Sequence, residues 1–238
     1  ITRALHAVAS RPQHQRTLTM LKHAVMDVAV KDALAVFCEG GACGTLLDNS
    51  DHRVGSGASI QCFETDRLLL NTVALAPVLA CIFHEISRSY SDDQPTLVVV
   101  DEAKTAITHP LIAPQVDELI RRARREKIQV VLATHSVEDI ETSPIGGIIS
   151  NSIKHTVFTA NASAVEPRTA EALVRHGWSP TQIGIIARLT PKREYVSAPE
   201  GGWCKFELCL SEYERAILTG GSGAEALMLD KIIAAGPR

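Results

Sequence analysis

Apolar positions in the first part of the chain recur at helical spacing. From Thr17 to Phe37 they follow one another three or four residues apart, with alanine between them and almost no helix breaker. Residues 40–57 then contain several glycines, a run of short polar side chains and no sustained periodicity, which is typical of a loop. This pattern predicts that residues 1–57 form the end of an all-α subdomain.

After this loop the pattern changes to short apolar runs that alternate with helical segments. In chain order it predicts a strand at 59–64, a helix at 73–90, a strand at 96–100, a helix at 114–127 and strands at 129–133 and 156–159. The runs Thr96–Val100 and Gln129–Ala133 are rich in β-branched residues, which is typical of strands buried on both faces of a parallel sheet. Strands and helices in this order predict an α/β core over residues 58–238, with right-handed crossovers and a doubly wound sheet.

The last part of the chain predicts a β-hairpin and two short helices. The segments Glu194–Ala198 and Trp203–Leu210 flank Pro199-Glu200-Gly201-Gly202, whose composition favours a tight turn. The two helices are expected to begin at about Glu212 and Glu225, on either side of a glycine-rich linker. We expect this hairpin and its helices to complete the α/β core.

Composition and charge narrow the classes of function. Apolar residues make up 45% of the chain and charged residues 21%, an ordinary balance for a globular protein with a sizeable core. The aromatic content of 4% leaves few rings to stack on bases, which argues against a dedicated binder of single-stranded nucleic acid. A net charge of −3 does not support broad DNA affinity, although it leaves a local basic patch open.

Targeting signals and cysteine pairs are absent from the sequence. No apolar run approaches the roughly 18 to 20 residues that span a bilayer, and no basic-then-apolar signal opens the chain. The first residue is Ile1 rather than Met, so we expect the sequence to be a piece of a longer protein. The six cysteines form no Cys-x-x-Cys pair, and we expect buried free thiols in a reducing cytosol rather than a structural zinc site.

An acidic pair, Asp101-Glu102, follows directly after the run Thr96–Val100. The carboxyl ends of buried parallel strands deliver such residues to the crevice where α/β sheets bind ligands. Carboxylates at this edge suit nucleotide hydrolysis: Asp101 would hold a nucleotide's Mg²⁺, mainly through its water shell, and Glu102 would polarise the attacking water. The alternative is that the two acids only end a strand and face solvent.

Polar residues also follow the next predicted strand, where Thr134 and His135 come after Ala133. If the two strands are neighbours, these side chains lie beside Asp101. In RecA-like motors this position carries a polar residue that contacts the γ-phosphate or the attacking water. We therefore expect Thr134 to bind the nucleotide and His135 to take part in catalysis, with a hydrogen-bonded structural histidine as the alternative.

A basic cluster lies on the helix between these strands. It consists of Arg121, Arg122, Arg124 and Arg125. A solvated, charge-rich helix face is the interpretation that fits most of the four. One of them could act on a neighbouring subunit as an arginine finger, a role worth roughly 10³- to 10⁵-fold in rate.

The phosphate-binding loop G-x-x-x-x-G-K-[ST] is absent from the sequence. Residues 40–45 and 220–223 are rich in glycine, but neither stretch contains a Gly-Lys pair or lies between a strand and a helix. Because that lysine and the loop amides make most triphosphate contacts, we expect this chain alone to bind ATP weakly and to hydrolyse it negligibly.

Three segments in combination resemble the conjugal-transfer ATPase family of type IV secretion systems, the large TrbE-type motor. They are Pro95–Ala103, which matches the family's Walker B strand, Arg124-Arg125, and Val131–Ser136. Weaker likeness extends to residues 16–18, 44–48, 63–68, 77–79, 82–84 and 203–220. The family usually has Gln where this chain has His135, and Trp where it has Lys104.

The resemblance implies a RecA-like P-loop NTPase core that uses ATP and Mg²⁺ and is a hexamer when active. It also implies a cytoplasmic protein, peripheral at the bacterial inner membrane, that works with other channel and pilus components. Arg124 matches the family's arginine before the second strand, which implies the finger role for it rather than for its neighbours.

Two other functions stay open. An ABC-type ATPase domain has the same order of strand, Asp-Glu, and strand ending in Thr-His, but residues 86–91 do not supply its LSGGQ-like signature. A non-catalytic module that docks onto the secretion channel is favoured by the absence of a P-loop, whereas the intact Asp101-Glu102 pair favours an enzyme in the parent protein.

Overall fold

The computed structural model describes residues 1–50, 59–65, 68, 70–89, 95–123, 125–218, 229, 231 and 233–234. The chain divides into two compact units: the first comprises Ile1–His135 and Asp139–Ser152, and the second comprises Ser136–Glu138 and Ile153–Arg238. The domain boundary expected at residue 57 falls among residues that are not described, and it stays a prediction.

The N-terminal part of the first unit is helical. Its helices are α1 (Thr2–Ala9), α2 (Leu18–Ala24), α3 (Val28–Ala35) and α4 (Gly44–Leu47). The helical segment expected from Thr17 to Phe37 is interrupted, because Val25 is buried with an extended backbone. The Asp27 side chain then caps α3 by accepting a hydrogen bond from the Val30 amide at 3.2 Å, and such a cap begins a new helix.

Asp48 ties α2 to the turn that precedes α4. Its carboxylate accepts hydrogen bonds from the Thr19 amide at 3.1 Å, from the Thr19 hydroxyl, and from the Glu39 amide at 2.7 Å. Burial, the largest single effect, raises the pKa of Asp48, but these hydrogen bonds together bring the pKa below the ordinary value for aspartate. The contact therefore stabilises the helical part through an ionised carboxylate.

The cysteines are free thiols, and they differ in burial. Cys38 and Cys43 are buried beside this contact, as expected. The expectation of burial is wrong for the other four, which are exposed: Cys62, Cys81, Cys204 and Cys209. The presence of a cysteine therefore does not predict burial, because these four lie on surface segments.

Helix α5 (Thr72–Ser89) confirms the helix predicted for this region. The Asn71 side chain accepts a hydrogen bond from the Ala74 amide at 3.1 Å and so satisfies one of the first amides of the helix. In the part of the chain that the structure describes, no helix is both long and apolar enough to cross a membrane. The strand predicted at 59–64 is wrong: residues 59–65 are irregular and Ile60 is 88% exposed, because an alternating pattern needs a partner strand and a core to become a strand.

The two central strands form a parallel pair, as predicted. They are β1 (Thr96–Val100) and β2 (Ile128–Leu132), and α6 (Lys104–Thr108) and α7 (Ala113–Ala123) lie between them in the chain. Val98 is buried, whereas Leu97 and Val99 are 61% and 58% exposed. Burial of the strands on both faces is therefore wrong for β1, since only alternate residues lie against covered surface.

Two short helices follow β2 in the chain, and the residues of the first of them divide between the two units. They are α8 (Val137–Glu141) and α9 (Gly146–Ser152), and α9 packs against α7. Gly146 is buried where α9 begins, and a Cβ there would lie 2.1 Å from the Ile140 carbonyl oxygen. Close backbone approach explains the glycine at this position.

The second unit contains a three-stranded antiparallel sheet in the order β3-β4-β5. Its strands are β3 (His155–Phe158), β4 (Glu194–Pro199) and β5 (Cys204–Glu207). The hairpin β4-β5 is confirmed, and Tyr195 lies opposite Phe206 with stacked rings. The third strand exists, but the doubly wound sheet is wrong for the described strands: β3 pairs antiparallel with β4 rather than joining β1 and β2. A β-rich run predicts a strand without specifying its partner.

The second unit also contains three helices, the first two of which contribute to its core. They are α10 (Pro167–Arg175), α11 (Pro180–Ala187) and α12 (Glu212–Leu218). The buried core contains Leu173, Ile183, Ile186, Leu189 and Val196, with the Phe158 and Trp178 rings packed edge-on at 4.5 Å. Helix α12 confirms the helix predicted from Glu212. The helix predicted from Glu225 falls mostly on residues that are not described, but the described ones among them, 229, 231, 233 and 234, are helical. The fold as a whole is α/β.

Candidate functional site

The carboxyl ends of β1 and β2 lie side by side. In the parallel register Val100 lies opposite Leu132, and the Ala133 amide donates a 2.9 Å hydrogen bond to the Val100 carbonyl. One step further, the Ala103 amide donates to the Ala133 carbonyl at 2.7 Å. The residues that follow each strand therefore lie at one edge, which confirms the predicted arrangement of the two strands.

The segment after β1 holds the acidic pair in a tight turn. The Asp101 carboxylate accepts a 3.0 Å hydrogen bond from the Glu102 amide, and the Glu102 backbone has a φ of 49°. Non-glycine residues rarely adopt this left-handed conformation, and such strain clusters at functional sites. The next residue, Ala103, is fully buried, so the turn is anchored on one side while both carboxylates are exposed.

Glu102 and His135 meet at this edge. The distance from Glu102 Oε1 to His135 Nε2 is 3.8 Å, and the two side chains are 64% and 88% exposed. A contact this exposed and this long contributes little to stability. The contact places the Glu102 carboxylate beside the His135 imidazole, and both side chains are exposed enough to reach a ligand.

Behind the predicted residues, the structure adds a contact that sequence analysis missed. Asp139 in α8 is buried, and its Oδ2 accepts a 2.7 Å hydrogen bond from the Thr134 hydroxyl. Its Oδ1 lies 3.0 Å from Lys104 Nζ, at the start of α6. Burial, the largest single effect, raises the pKa of Asp139, but the hydrogen bonds from Thr134 and Lys104 and the charges of Lys104 and His135 together bring the pKa below the ordinary value.

The signal for Asp139 in the sequence was weak. An acidic residue in the first turn of a short helix is an ordinary helix-start feature, and nothing local distinguishes it from one. Lys104 was noted only as a departure from the resembled family. The two residues are distant in sequence, so only the fold reveals that one carboxylate contacts the segments that follow both strands.

The arginine cluster on α7 is only partly described. Arg121 donates to Asp117 at 2.6 Å, and Arg122 donates to Glu126 at 2.9 Å. The Arg121–Asp117 pair lies within α7, whereas Glu126 lies beyond the end of that helix, and both i,i+4 pairs fit the solvated charged face. Arg124 lies outside the described residues, so its role stays a prediction.

The donors at this edge suit a hydrated magnesium ion. Asp101 and Glu102 present carboxylate oxygens, the ligand type that Mg²⁺ prefers, and they are exposed enough to accept hydrogen bonds from its water. Within the described residues, no group of three or more His, Cys, Asp or Glu side chains is placed to hold a metal. The residues present therefore fit an ion held through water and a ligand's own oxygens.

A parallel strand pair with intervening helices and acidic and polar residues at its carboxyl end is the arrangement of α/β proteins, which commonly bind ligands at such an edge. Sequence comparison is more specific. The chain is 33% identical to a probable conjugal transfer protein TrbE of Sinorhizobium fredii over 228 residues, and 34% identical to the conjugal transfer protein TrbE of Rhizobium radiobacter over 214 residues. The chain belongs to the TrbE/VirB4 family of type IV secretion proteins.

The matches cover most of this chain but a smaller share of its relatives. They span 95% and 89% of the chain, and only 34% and 26% of the two TrbE proteins. The protein virB4 of Rhizobium radiobacter is 23% identical over 69% of the chain. No protein family model matches the chain.

A solved structure supports the fold. The structure of VirB4 of Thermoanaerobacter pseudethanolicus superposes with a TM-score of 0.64 and 13% sequence identity, over 90% of this chain and 62% of that one. At this identity the likeness shows a shared α/β fold.

Proposed function

We propose that the protein carrying this chain is a type IV secretion ATPase, and that the chain supplies the Walker B edge of its RecA-like P-loop NTPase core. The observation that carries this proposal is the approach of Glu102 and His135 to 3.8 Å at the shared carboxyl end of β1 and β2. Family membership supports it independently. In this proposal the helical N-terminal segment is the end of an all-α insertion.

Each residue at the edge has a role that its chemistry suits. Asp101 would hold Mg²⁺ through water, and the ion supplies positive charge to the phosphate oxygens of ATP. Glu102 would accept a proton from the attacking water. The oxygen of that water bonds to the γ-phosphorus while the bond between the γ-phosphorus and the β,γ-bridging oxygen breaks. His135 and Thr134 come from the neighbouring strand and would orient groups around the γ-phosphate. His135 would do the work of the family's usual Gln.

Assembly and location follow from the family resemblance. We propose a hexamer at the cytoplasmic face of the bacterial inner membrane, in contact with other type IV secretion channel and pilus components. Arg124 would act across a subunit interface. The net charge of −3 of these 238 residues gives no support for DNA binding by this part of the protein.

The absence of a Gly-Lys phosphate loop from these 238 residues sets the first test. Calorimetry with Mg-ATP is expected to show weak binding, with a Kd above about 100 μM. Phosphate release is expected to stay at background. The full-length protein is expected to turn ATP over. Tight ATP binding by the 238-residue chain with sustained phosphate release would contradict the proposal, because it would show that the chain needs no phosphate-binding loop from the rest of the protein.

The same experiment separates the alternative of a non-catalytic docking module. A docking module would bind no Mg-ATP in either form, whereas the motor binds it in the full-length form. Family membership gives no support to the ABC-type alternative.

A further inference from the structure

Asp139 contacts one residue from the segment after each strand of the catalytic edge. Its two carboxylate oxygens have different partners: Lys104 Nζ at 3.0 Å from Oδ1, and the Thr134 hydroxyl at 2.7 Å from Oδ2. The Asp139 side chain is 9% exposed while that of Lys104 is 69% exposed. A buried carboxylate needs such partners, because an unpaired one would lose the hydration it has in the unfolded chain.

The ionisation of Asp139 decides the direction of its hydrogen bond with Thr134. An ionised carboxylate has no proton to donate, so the Thr134 hydroxyl must be the donor. A hydroxyl has one proton and two lone pairs. With that proton directed to Asp139, the Thr134 oxygen can act toward any ligand only as a hydrogen-bond acceptor.

This direction limits what Thr134 can bind. Phosphate oxygens are themselves acceptors, so they need N–H or O–H donors and gain nothing from a second acceptor. Water donates two hydrogen bonds and suits an acceptor. The next residue, His135, lies 3.8 Å from Glu102, and the Ala103 amide donates to the Ala133 carbonyl at 2.7 Å, so the segments that carry Thr134 and Glu102 lie side by side.

We propose that Asp139 is a positioning residue that makes Thr134 an acceptor for a water molecule at the catalytic edge, rather than a ligand of phosphate. The inference rests on the proposed function and revises the role that sequence analysis expected for Thr134. Lys104 holds the other oxygen of Asp139 and comes from the segment that carries Glu102. The Asp139 carboxylate thereby links the orientation of the Thr134 hydroxyl to the segment that carries Glu102, the expected base.

The first test separates water positioning from phosphate binding by steady-state kinetics of the full-length protein. Thr134→Val keeps the shape and removes the hydroxyl, so kcat is expected to fall about 10- to 100-fold while the KM for ATP stays within about twofold. Thr134→Ser retains the hydroxyl and is expected to recover most of the lost kcat. The matched control is Thr108→Val, whose hydroxyl donates to the Lys104 carbonyl within α6, and it is expected to change neither constant.

The second test asks whether Asp139 acts through Thr134. Asp139→Asn introduces an amide that can donate to Thr134 and thus removes the requirement that Thr134 donate. It is expected to lower kcat about as much as Thr134→Val, with KM unchanged, and the double variant is expected to lose no more than either single variant. Should Asp139→Asn fail to fold by thermal melting, the Thr134 variants decide the question alone.

Two other results would overturn the inference. A raised KM with unchanged kcat in Thr134→Val would show that Thr134 binds the nucleotide, and would leave the proposed function standing. No ATP turnover in the wild-type full-length protein would remove the proposed function, and the inference with it.

Discussion

Glu102 and His135 come from the ends of two different strands, yet their side chains approach to 3.8 Å. The parallel register of β1 and β2 produces this approach, because it places Val100 opposite Leu132 and brings both following segments to one edge. Glu102 has a left-handed backbone, and its side chain is 64% exposed.

Replacing Asp101 by Asn tests the expected magnesium role. The substitution keeps the size of the side chain but removes its charge, so Mg-ATP binding by the full-length protein is expected to weaken about 10- to 100-fold. Raising the magnesium concentration should recover some of the binding. Isothermal titration at several magnesium concentrations is the measurement, and an affinity equal to wild type at every concentration would remove Asp101 from the site.

Replacing Arg124 by Ala tests action across a subunit interface. ATP binding by isolated subunits is expected to stay intact, while turnover of the assembled oligomer falls by roughly 10³-fold or more, because a finger stabilises the transition state in a neighbour. The measurement is turnover against protein concentration. Arg121→Ala is the matched control, since Arg121 pairs with Asp117 on its own helix, and it should behave as wild type. Equal turnover in the Arg124 and Arg121 variants would show that the arginine cluster is only a solvated charged face.

Asp48 is expected to make stability depend on pH. Its pKa is lowered in the folded protein, so its contribution is present above the unfolded aspartate value of about 3.9 and is lost as the pH falls through the lower folded value. Asp48→Asn should cost about 1–2 kcal/mol at pH 7, because an amide nitrogen cannot accept from the Glu39 amide. The difference from wild type should shrink in acid.

Chemical denaturation of the 238-residue chain at pH 7 and near pH 3 measures the effect of Asp48. Asp27→Asn is the matched control, because asparagine caps a helix as well as aspartate does. This variant should be nearly neutral at pH 7. A loss from Asp48→Asn that stays the same in acid would show that the ionised carboxylate is not the stabilising group.

Two neighbouring glycines in α9 offer a matched pair for packing. A Cβ at Gly146 would lie 2.1 Å from the Ile140 carbonyl oxygen, while a Cβ at Gly147 would meet nothing within 4 Å. Gly146→Ala is therefore expected to destabilise the chain by about 1–3 kcal/mol, and Gly147→Ala to be neutral or to stabilise it by up to about 1 kcal/mol. Urea denaturation measures both, and equal effects would contradict the tight contact.

Local patterns predicted the central strands and the acidic edge. The β-branched runs of β1 and β2, followed directly or after one alanine by polar residues, place a strand and its polar carboxyl end in one short segment. The same kind of evidence failed at 59–64, where alternation suggests a strand, but no described strand pairs with this segment and Ile60 is exposed. A pattern reports what a segment can form, and packing decides whether it does.

Non-local relationships could not be predicted from such patterns. The sequence predicts a strand at 156–159 and the structure has one at His155–Phe158, but its antiparallel pairing with β4 depends on the hairpin that follows much later in the chain. The contact of Asp139 with Lys104 and Thr134 has the same origin, because it joins segments that only the fold brings together. These are the features that change the interpretation of the site.

Glu102→Gln in the full-length protein is the most direct test of the proposed ATPase edge. Glutamine keeps the size and hydrogen-bonding capacity of the side chain but removes the basic oxygen, so ATP binding should match wild type while kcat falls at least about 10²-fold. Glu118→Gln, on the exposed face of α7, is the matched control and should change neither quantity. The measurement is steady-state phosphate release together with ATP affinity. Turnover by Glu102→Gln at the wild-type rate would contradict the assignment of Glu102 as the catalytic base.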